Sequence, residues 1–166
     1  NSGDKFTMTQ STFQSVNPVS GETIDHYRES TRDDVSAAAS AALQAFEQTR
    51  QLPPAWQANL LDTIADRVMD IGDALLEKAE AESALPRARL TGERARTCAQ
   101  LKLFAAHVRE GSWVDAVIDT ADPTRKPVPK PDLRRMLIPR GPVAVFGASN
   151  FPLAFGTLGG DTASAL

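Results

Sequence analysis

Gly141-Pro142-Val143-Ala144-Val145-Phe146-Gly147-Ala148-Ser149-Asn150-Phe151-Pro152 is the stretch whose reading decides the fold. Its apolar run, Val143 to Phe146, follows a proline and precedes a small-residue turn, the pattern of a strand buried on both faces. Such a strand belongs to a parallel sheet covered by helices, so the chain is expected to be α/β. Pro152 brings a fixed φ suited to the first turn of a helix, and Leu153 to Leu166 offers little but glycine to oppose one. Strand, tight turn and helix N-terminus together mark where α/β proteins hold ligands. No other segment supplies parallel neighbours for this strand, so much of its sheet is expected to come from outside these residues.

Working back toward the N-terminus, the sequence is dominated by helical periodicity. Thr12 to Ser30 folds about Asn17-Pro18-Val19-Ser20-Gly21, a turn composition that predicts a small edge hairpin. Thr31-Arg32-Asp33-Asp34 offers a hydroxyl cap with an acid three residues on, and Val35, Ala38, Ala39, Ala42 and Phe46 recur at helical spacing, predicting a helix from about Arg32 to Thr49. Leu60, Leu61, Ile64, Val68 and Ile71 form the stripe of a second helix after Pro53-Pro54, stopped by Gly72. Asp73 to Ala84 makes a third. Ala95, Cys98, Leu101, Ala105 and Val108 mark a long fourth helix that Gly111 can close in the left-handed conformation. From Trp113 the period changes to two. Val114, Ala116 and Ile118 predict one strand and Leu133 to Ile138 another, joined by a connector with four prolines between Asp122 and Pro131. Open strand edges of this kind are usually covered by pairing, here expected with another subunit or with a part of the chain outside these residues.

Composition narrows the function. The 166 residues are 42% apolar and 23% charged, a globular balance able to bury one core. A net charge of −3 and a pI of about 5.4 argue against a nucleic-acid partner held by phosphate contacts, and none is expected. No apolar run is long enough to span a bilayer, so no membrane partner is expected, and the N-terminus, too polar for a signal peptide, is not expected to be one. Met8 is the expected initiator. One cysteine, Cys98, allows no internal disulfide and fits a reducing cytoplasm. His26 and His107 stand alone, without acids or cysteine at ligand spacing, so no metal site is expected.

Three blocks resemble one family. They are Glu82-Ser83-Ala84-Leu85-Pro86 with Arg89-Leu90-Thr91-Gly92-Glu93; Gln100-Leu101-Lys102-Leu103-Phe104-Ala105; and Gly147 to Phe155 with Gly159-Gly160-Asp161-Thr162-Ala163-Ser164-Ala165-Leu166. Together with Gly141 to Phe146 they are similar to the N-terminal portion of NAD(P)-dependent aldehyde dehydrogenases, and most like the subgroup that oxidises 2-oxoglutarate semialdehyde. The resemblance implies an aldehyde-dehydrogenase-like α/β fold. Residues 1–112 would be the helical part of a cofactor-binding domain with its hairpin, 113–138 the protruding antiparallel strands of an oligomerisation element, and 139–166 the start of a Rossmann-like core. It also implies a small-molecule aldehyde substrate, NAD or NADP as cofactor, and a homodimer or homotetramer in the cytoplasm.

The resemblance further assigns roles. Asn150 would donate its side-chain N–H to the aldehyde oxygen after a cysteine thiolate attacks, where a fixed neutral donor stabilises the oxyanion more than the substrate. Phe146, Gly147, Ala148, Ser149 and Asn150 would line the cofactor cleft. Common members carry a bulky aromatic before the asparagine; here it is Ser149, which fits the subgroup and leaves the aldehyde tunnel's shape open. The nucleophile and general base are expected beyond Leu166, so these residues alone are expected to be inactive. Cys98, on an apolar helical stripe, reads as an inert thiol.

Other readings compete. Asn150 taken alone is a good helix N-cap. Ser149 invites a serine-hydrolase reading, but Phe151 replaces the second glycine of G-x-S-x-G and neither histidine follows the serine. Gly156, Gly159 and Gly160 do not make G-x-G-x-x-G and read as close packing. A non-catalytic fragment is the principal rival to the dehydrogenase. A helical interaction module would leave Val143 to Phe146 without purpose.

Overall fold

The computed structural model describes residues 11–166; Met8 lies outside them. The chain is α/β, with five α-helices and two small antiparallel strand pairs among the described residues. Strands β1 (Thr12–Val16) and β2 (Thr23–Arg28) form the hairpin, with Phe13 opposite Tyr27 and a register irregularity at Ser15/Val16. Its turn is built as composition requires. The Asn17 side-chain oxygen accepts from the N–H groups of Val19 and Ser20 at 2.8 and 3.2 Å, and Gly21 takes φ +76°.

Helix α1 (Arg32–Thr49) opens on the expected capping box: the Asp34 N–H donates to Thr31 Oγ1 at 3.1 Å and the Thr31 N–H to Asp34 Oδ2 at 2.8 Å. Its apolar stripe is not covered. Val35 and Leu43 are exposed, and no residue of α1 is buried. The core lies instead between α2 (Pro54–Asp70) and α4 (Arg87–Glu110), where Ala58, Leu61, Ala65 and Val68 meet Cys98, Leu101, Ala105 and Val108. Alanines at the crossing let the two backbones approach closely. Helix α3 (Asp73–Ser83) adds a second cluster in which Leu76 and Ala79 pack on Leu90. Gly111 ends α4 at φ +85°, as expected of a left-handed C-cap. None of the described helices is long and apolar enough to cross a membrane.

The hairpin docks on α3 through polar groups. Glu82 Oε1 accepts from Ser15 Oγ at 2.7 Å and from the Tyr27 hydroxyl at 3.1 Å, while Lys78 reaches Asp25 at 3.1 Å and Glu82 at 3.4 Å. Burial pushes the Glu82 carboxyl up, but the Ser15 and Tyr27 hydroxyls and Lys78 outweigh it and hold it below the ordinary glutamate value. A carboxylate depressed in the folded state stabilises above its unfolded pKa of about 4.3 and loses that contribution as pH falls through the folded value. Acidification is therefore expected to release the hairpin before the α2–α4 core opens. The Tyr27 ring resonances should report this, and Glu82→Gln should reduce the pH dependence to what the Asp25–Lys78 pair contributes.

Three expectations are corrected. The strand expected from Val114 begins three residues later: Ser112–Val114 is a 3-10 turn and Asp115 sits at φ +44°, so β3 is Val117–Asp119, paired antiparallel with β4 (Leu133–Arg135). Leu137 extends the pairing by a single bond, its N–H donating to the Val114 carbonyl at 2.7 Å.

Val143 to Phe146 is not buried on both faces; it runs without a ladder, with Val143 63% and Phe146 88% exposed. A parallel strand owes its burial to neighbours and covering helices, and among the described residues none flanks it.

Leu153 to Leu166 is not one helix. Tight turns fill residues 149–158, and only α5 (Gly160–Ala165) is helical. The turns win because their N–H groups are taken: that of Gly160 donates to the Ala154 carbonyl at 2.9 Å, and that of Gly159 to the Gly156 carbonyl at 2.9 Å. A Cβ on Gly159 would lie 2.5 Å from the Ala154 oxygen and 2.7 Å from Phe155 Cα, so this glycine serves close backbone packing as read.

Candidate functional site

The turn that carries Asn150 is held from within and from α4. The Ala148 N–H donates to the Phe155 carbonyl at 2.7 Å and the Phe151 N–H to the Ala148 carbonyl at 3.2 Å, closing residues 148–155 into an arch. Beneath it stands Glu93, a carboxylate 7% exposed. Its Oε2 accepts from the N–H groups of Leu153 and Ala154 at 3.2 and 3.4 Å, and its Oε1 accepts from Arg89 Nε at 3.0 Å. The same guanidinium donates through Nη2 to the Asn150 backbone carbonyl at 2.5 Å and lies 4.8 Å from the centre of the Phe151 ring. Thr97 Oγ1 adds a bond to the Leu153 carbonyl at 2.6 Å. Phe151 and Phe155 meet edge to face at 5.6 Å, and the Arg96 guanidinium lies 5.1 Å from the centre of the Phe155 ring.

An open cleft of about 440 Å³ lies beside this arch, lined by Glu82, Ser83, Leu85, Arg89, Ser149, Asn150 and Phe151. The structure thus brings Ser149 and Asn150 into one concavity. Phe146, Gly147 and Ala148 lead into it along the exposed chain but do not line it. Asn150 itself is exposed, and its side-chain amide takes no partner among the described residues. It begins no helix, so the N-cap reading has no counterpart here.

Ser149 has no histidine among the cleft residues; His107 lies near the end of α4 beside Glu110, and His26 lies on β2. Cys98 is 6% exposed, its thiol points at the Ala65 carbonyl at 3.5 Å, and burial pushes its pKa up. Both features mark an inert thiol rather than a nucleophile.

In the sequence Arg89 and Glu93 belong to a resembling block, Arg89 also reads with Arg87, Arg94 and Arg96 as a solvated basic face, and that reading gives neither a role at the site. A signal was present. Leu90, Glu93, Thr97 and Leu101 follow helical spacing, so Glu93 puts a carboxylate on the buried face of α4, where it needs partners.

With fold and site described, the comparisons define the class. The sequence profile of the aldehyde dehydrogenase family matches residues 6–166, and the chain belongs to that family. Among its relatives, alpha-ketoglutaric semialdehyde dehydrogenase 2 of Azospirillum brasilense is 50% identical over 157 residues, covering 93% of this chain and 30% of the relative. The alpha-ketoglutaric semialdehyde dehydrogenase of Acinetobacter baylyi is 45% identical over 165 residues, covering 99% of this chain and 31% of the relative. The chain thus spans about 30% of the length of these relatives. The crystal structure of an NAD-dependent benzaldehyde dehydrogenase from Corynebacterium glutamicum superposes with a TM-score of 0.61 at 20% identity, over 68% of this chain and 24% of that one, a likeness of fold.

Proposed function

We propose that the polypeptide carrying this chain oxidises 2-oxoglutarate semialdehyde to 2-oxoglutarate with NAD or NADP, and that Asn150 is its oxyanion donor. The observation that carries this reading is the 45–50% identity to alpha-ketoglutaric semialdehyde dehydrogenases, over 93% and 99% of this chain. The arch offers suitable chemistry. An exposed amide on a turn anchored to a buried carboxylate is a donor that needs little reorganisation when charge develops. In the reaction a cysteine thiolate contributed by another segment adds to the aldehyde carbon, and the carbonyl electrons move to oxygen, where the Asn150 N–H donates. Loss of hydride from that carbon gives a thioester, which water hydrolyses to the acid.

NAD or NADP, when bound, supplies the hydride acceptor. Ser149 and Asn150 in the cleft, with Phe146, Gly147 and Ala148 leading into it, would form one wall of its site: Gly147, Ala148 and Ser149 carry no side chain larger than a hydroxymethyl, which would let a flat ring approach the backbone beside Asn150. Residues 1–112 and 139–166 would serve the cofactor-binding domain. Residues 113–138 would reach a second subunit, consistent with the exposed Ile118, Leu133 and Met136 on and beside the strand pair. Incubation with 2-oxoglutarate semialdehyde and NAD or NADP is expected to yield reduced nicotinamide and 2-oxoglutarate in equal amounts. Reduction with aromatic aldehydes and none with the semialdehyde would overturn the substrate, and no reduction with any aldehyde would overturn the activity.

A further inference from the structure

We infer that Arg89 and Glu93 are positioning residues for Asn150, a two-residue clamp on α4 that sets where the oxyanion donor stands. The inference rests on the reading of Asn150 as that donor. Three observations converge on it. Glu93 is a buried carboxylate whose two oxygens are divided between the arch and Arg89: Oε2 takes the Leu153 and Ala154 N–H groups, and Oε1 takes Arg89 Nε. Arg89 uses a second nitrogen on the Asn150 carbonyl, so one planar group joins the carboxylate to the peptide that follows the donor. That guanidinium also lies over the ring of Phe151, the next residue, 4.8 Å from its centre. The clamp thus grips the arch just after Asn150 and again near its C-terminal end, leaving the Asn150 side chain free to face the cleft.

The physical consequence is specific. Asn150 stands on a turn rather than in a helix or strand, so regular backbone hydrogen bonding does not fix its orientation. The clamp supplies that fixation from α4, which buries more residues than any other described helix. Releasing it leaves the donor present but displaced, and a misplacement on the order of 1 Å can cost up to about 100-fold in rate. Because the clamp acts through Asn150, its contribution disappears once Asn150 has lost its amide.

The test is a cycle in the full enzyme between Arg89→Gln and Asn150→Ala. Arg89→Gln alone is expected to lower kcat about 10- to 100-fold while leaving KM for the aldehyde and affinity for the cofactor unchanged. In the Asn150→Ala background the same substitution should lower kcat no further. Losses that multiply would show a general structural role and overturn the inference.

Glu93→Gln guards against misfolding of the first variant. It is isosteric but has one acceptor oxygen, so either Arg89 or the arch loses its partner, and the same non-multiplying loss is expected. If Asn150→Ala is slow while Arg89→Gln and Glu93→Gln turn over as wild type, the clamp alone falls. If Asn150→Ala turns over as wild type, the oxyanion reading falls and the clamp with it.

Discussion

Asn150→Ala is expected to lower kcat about 100- to 1,000-fold, roughly 3 kcal/mol of transition-state stabilisation, while leaving the melting temperature unchanged. The first half rests on the proposed reading of Asn150 as oxyanion donor, the second on the geometry. The side-chain amide is exposed and takes no partner among the described residues, so truncation orphans no buried group and opens no cavity. What the arch takes from Asn150 is its backbone carbonyl, which alanine retains for Arg89. The amide is therefore free to act on a ligand, and its loss should be felt only when charge develops on the aldehyde oxygen. Asn150→Asp is the sharper variant, since it keeps the size, removes the donor and places an anion against the oxyanion. It should be slower than alanine. Single-turnover rates and cofactor affinity measured on the same preparations check the claim. Wild-type turnover in Asn150→Ala would remove Asn150 from the chemistry.

The elements legible in the sequence were those written in local signals. Thr31 and Asp34 cap α1, Pro53 and Pro54 open α2, Gly72 separates α2 from α3, and Gly111 closes α4, each within a few residues of where it was read. The hairpin was legible for the same reason, since Asn17 and Gly21 carry their turn chemistry with them. What depended on distant partners was not. Val143 to Phe146 has a strand's composition, but a strand is made by its neighbours, and here the segment lies exposed. The region after Pro152 has few helix breakers. Yet Glu93, some sixty residues earlier, takes two of its N–H groups and Gly159 packs on Ala154, arrangements that no local propensity encodes. The apolar stripe of α1 was legible as a stripe, and its periodicity did not say what covers it. Asn150 could be singled out only through the resemblance. Its two supports on α4 stood in the sequence only within a resembling block, and their pairing is seen in the structure alone.

Leu101→Ala is expected to produce the complementary phenotype: a loss of about 3 kcal/mol in stability, with turnover per folded molecule preserved. Leu101 is 1% exposed at the centre of the α2–α4 contact, and its neighbours there include Ala58, Ala65 and Ala105. Alanine side chains cannot swing into the space a leucine leaves, and two helices packed along their lengths cannot collapse locally, so the cavity should persist. Alanine is the best helix former, so the loss cannot be charged to helix propensity. For a unit of this size the melting temperature should fall on the order of 10 °C. Cys98, nearly one turn earlier on α4 and the chain's one cysteine, gives an independent readout. Its thiol is buried against the Ala65 carbonyl and should be nearly inert to a thiol reagent in the native protein. Opening of the α2–α4 contact exposes it, and a 3 kcal/mol loss should raise the labelling rate by roughly two orders of magnitude where labelling follows the opening equilibrium. Glu93 lies more than two turns away on the same helix and keeps its bonds to the arch, which is why kcat should survive below the melting transition. An unchanged melting temperature, or labelling at the native rate, would show that α2 and α4 are not the stabilising core.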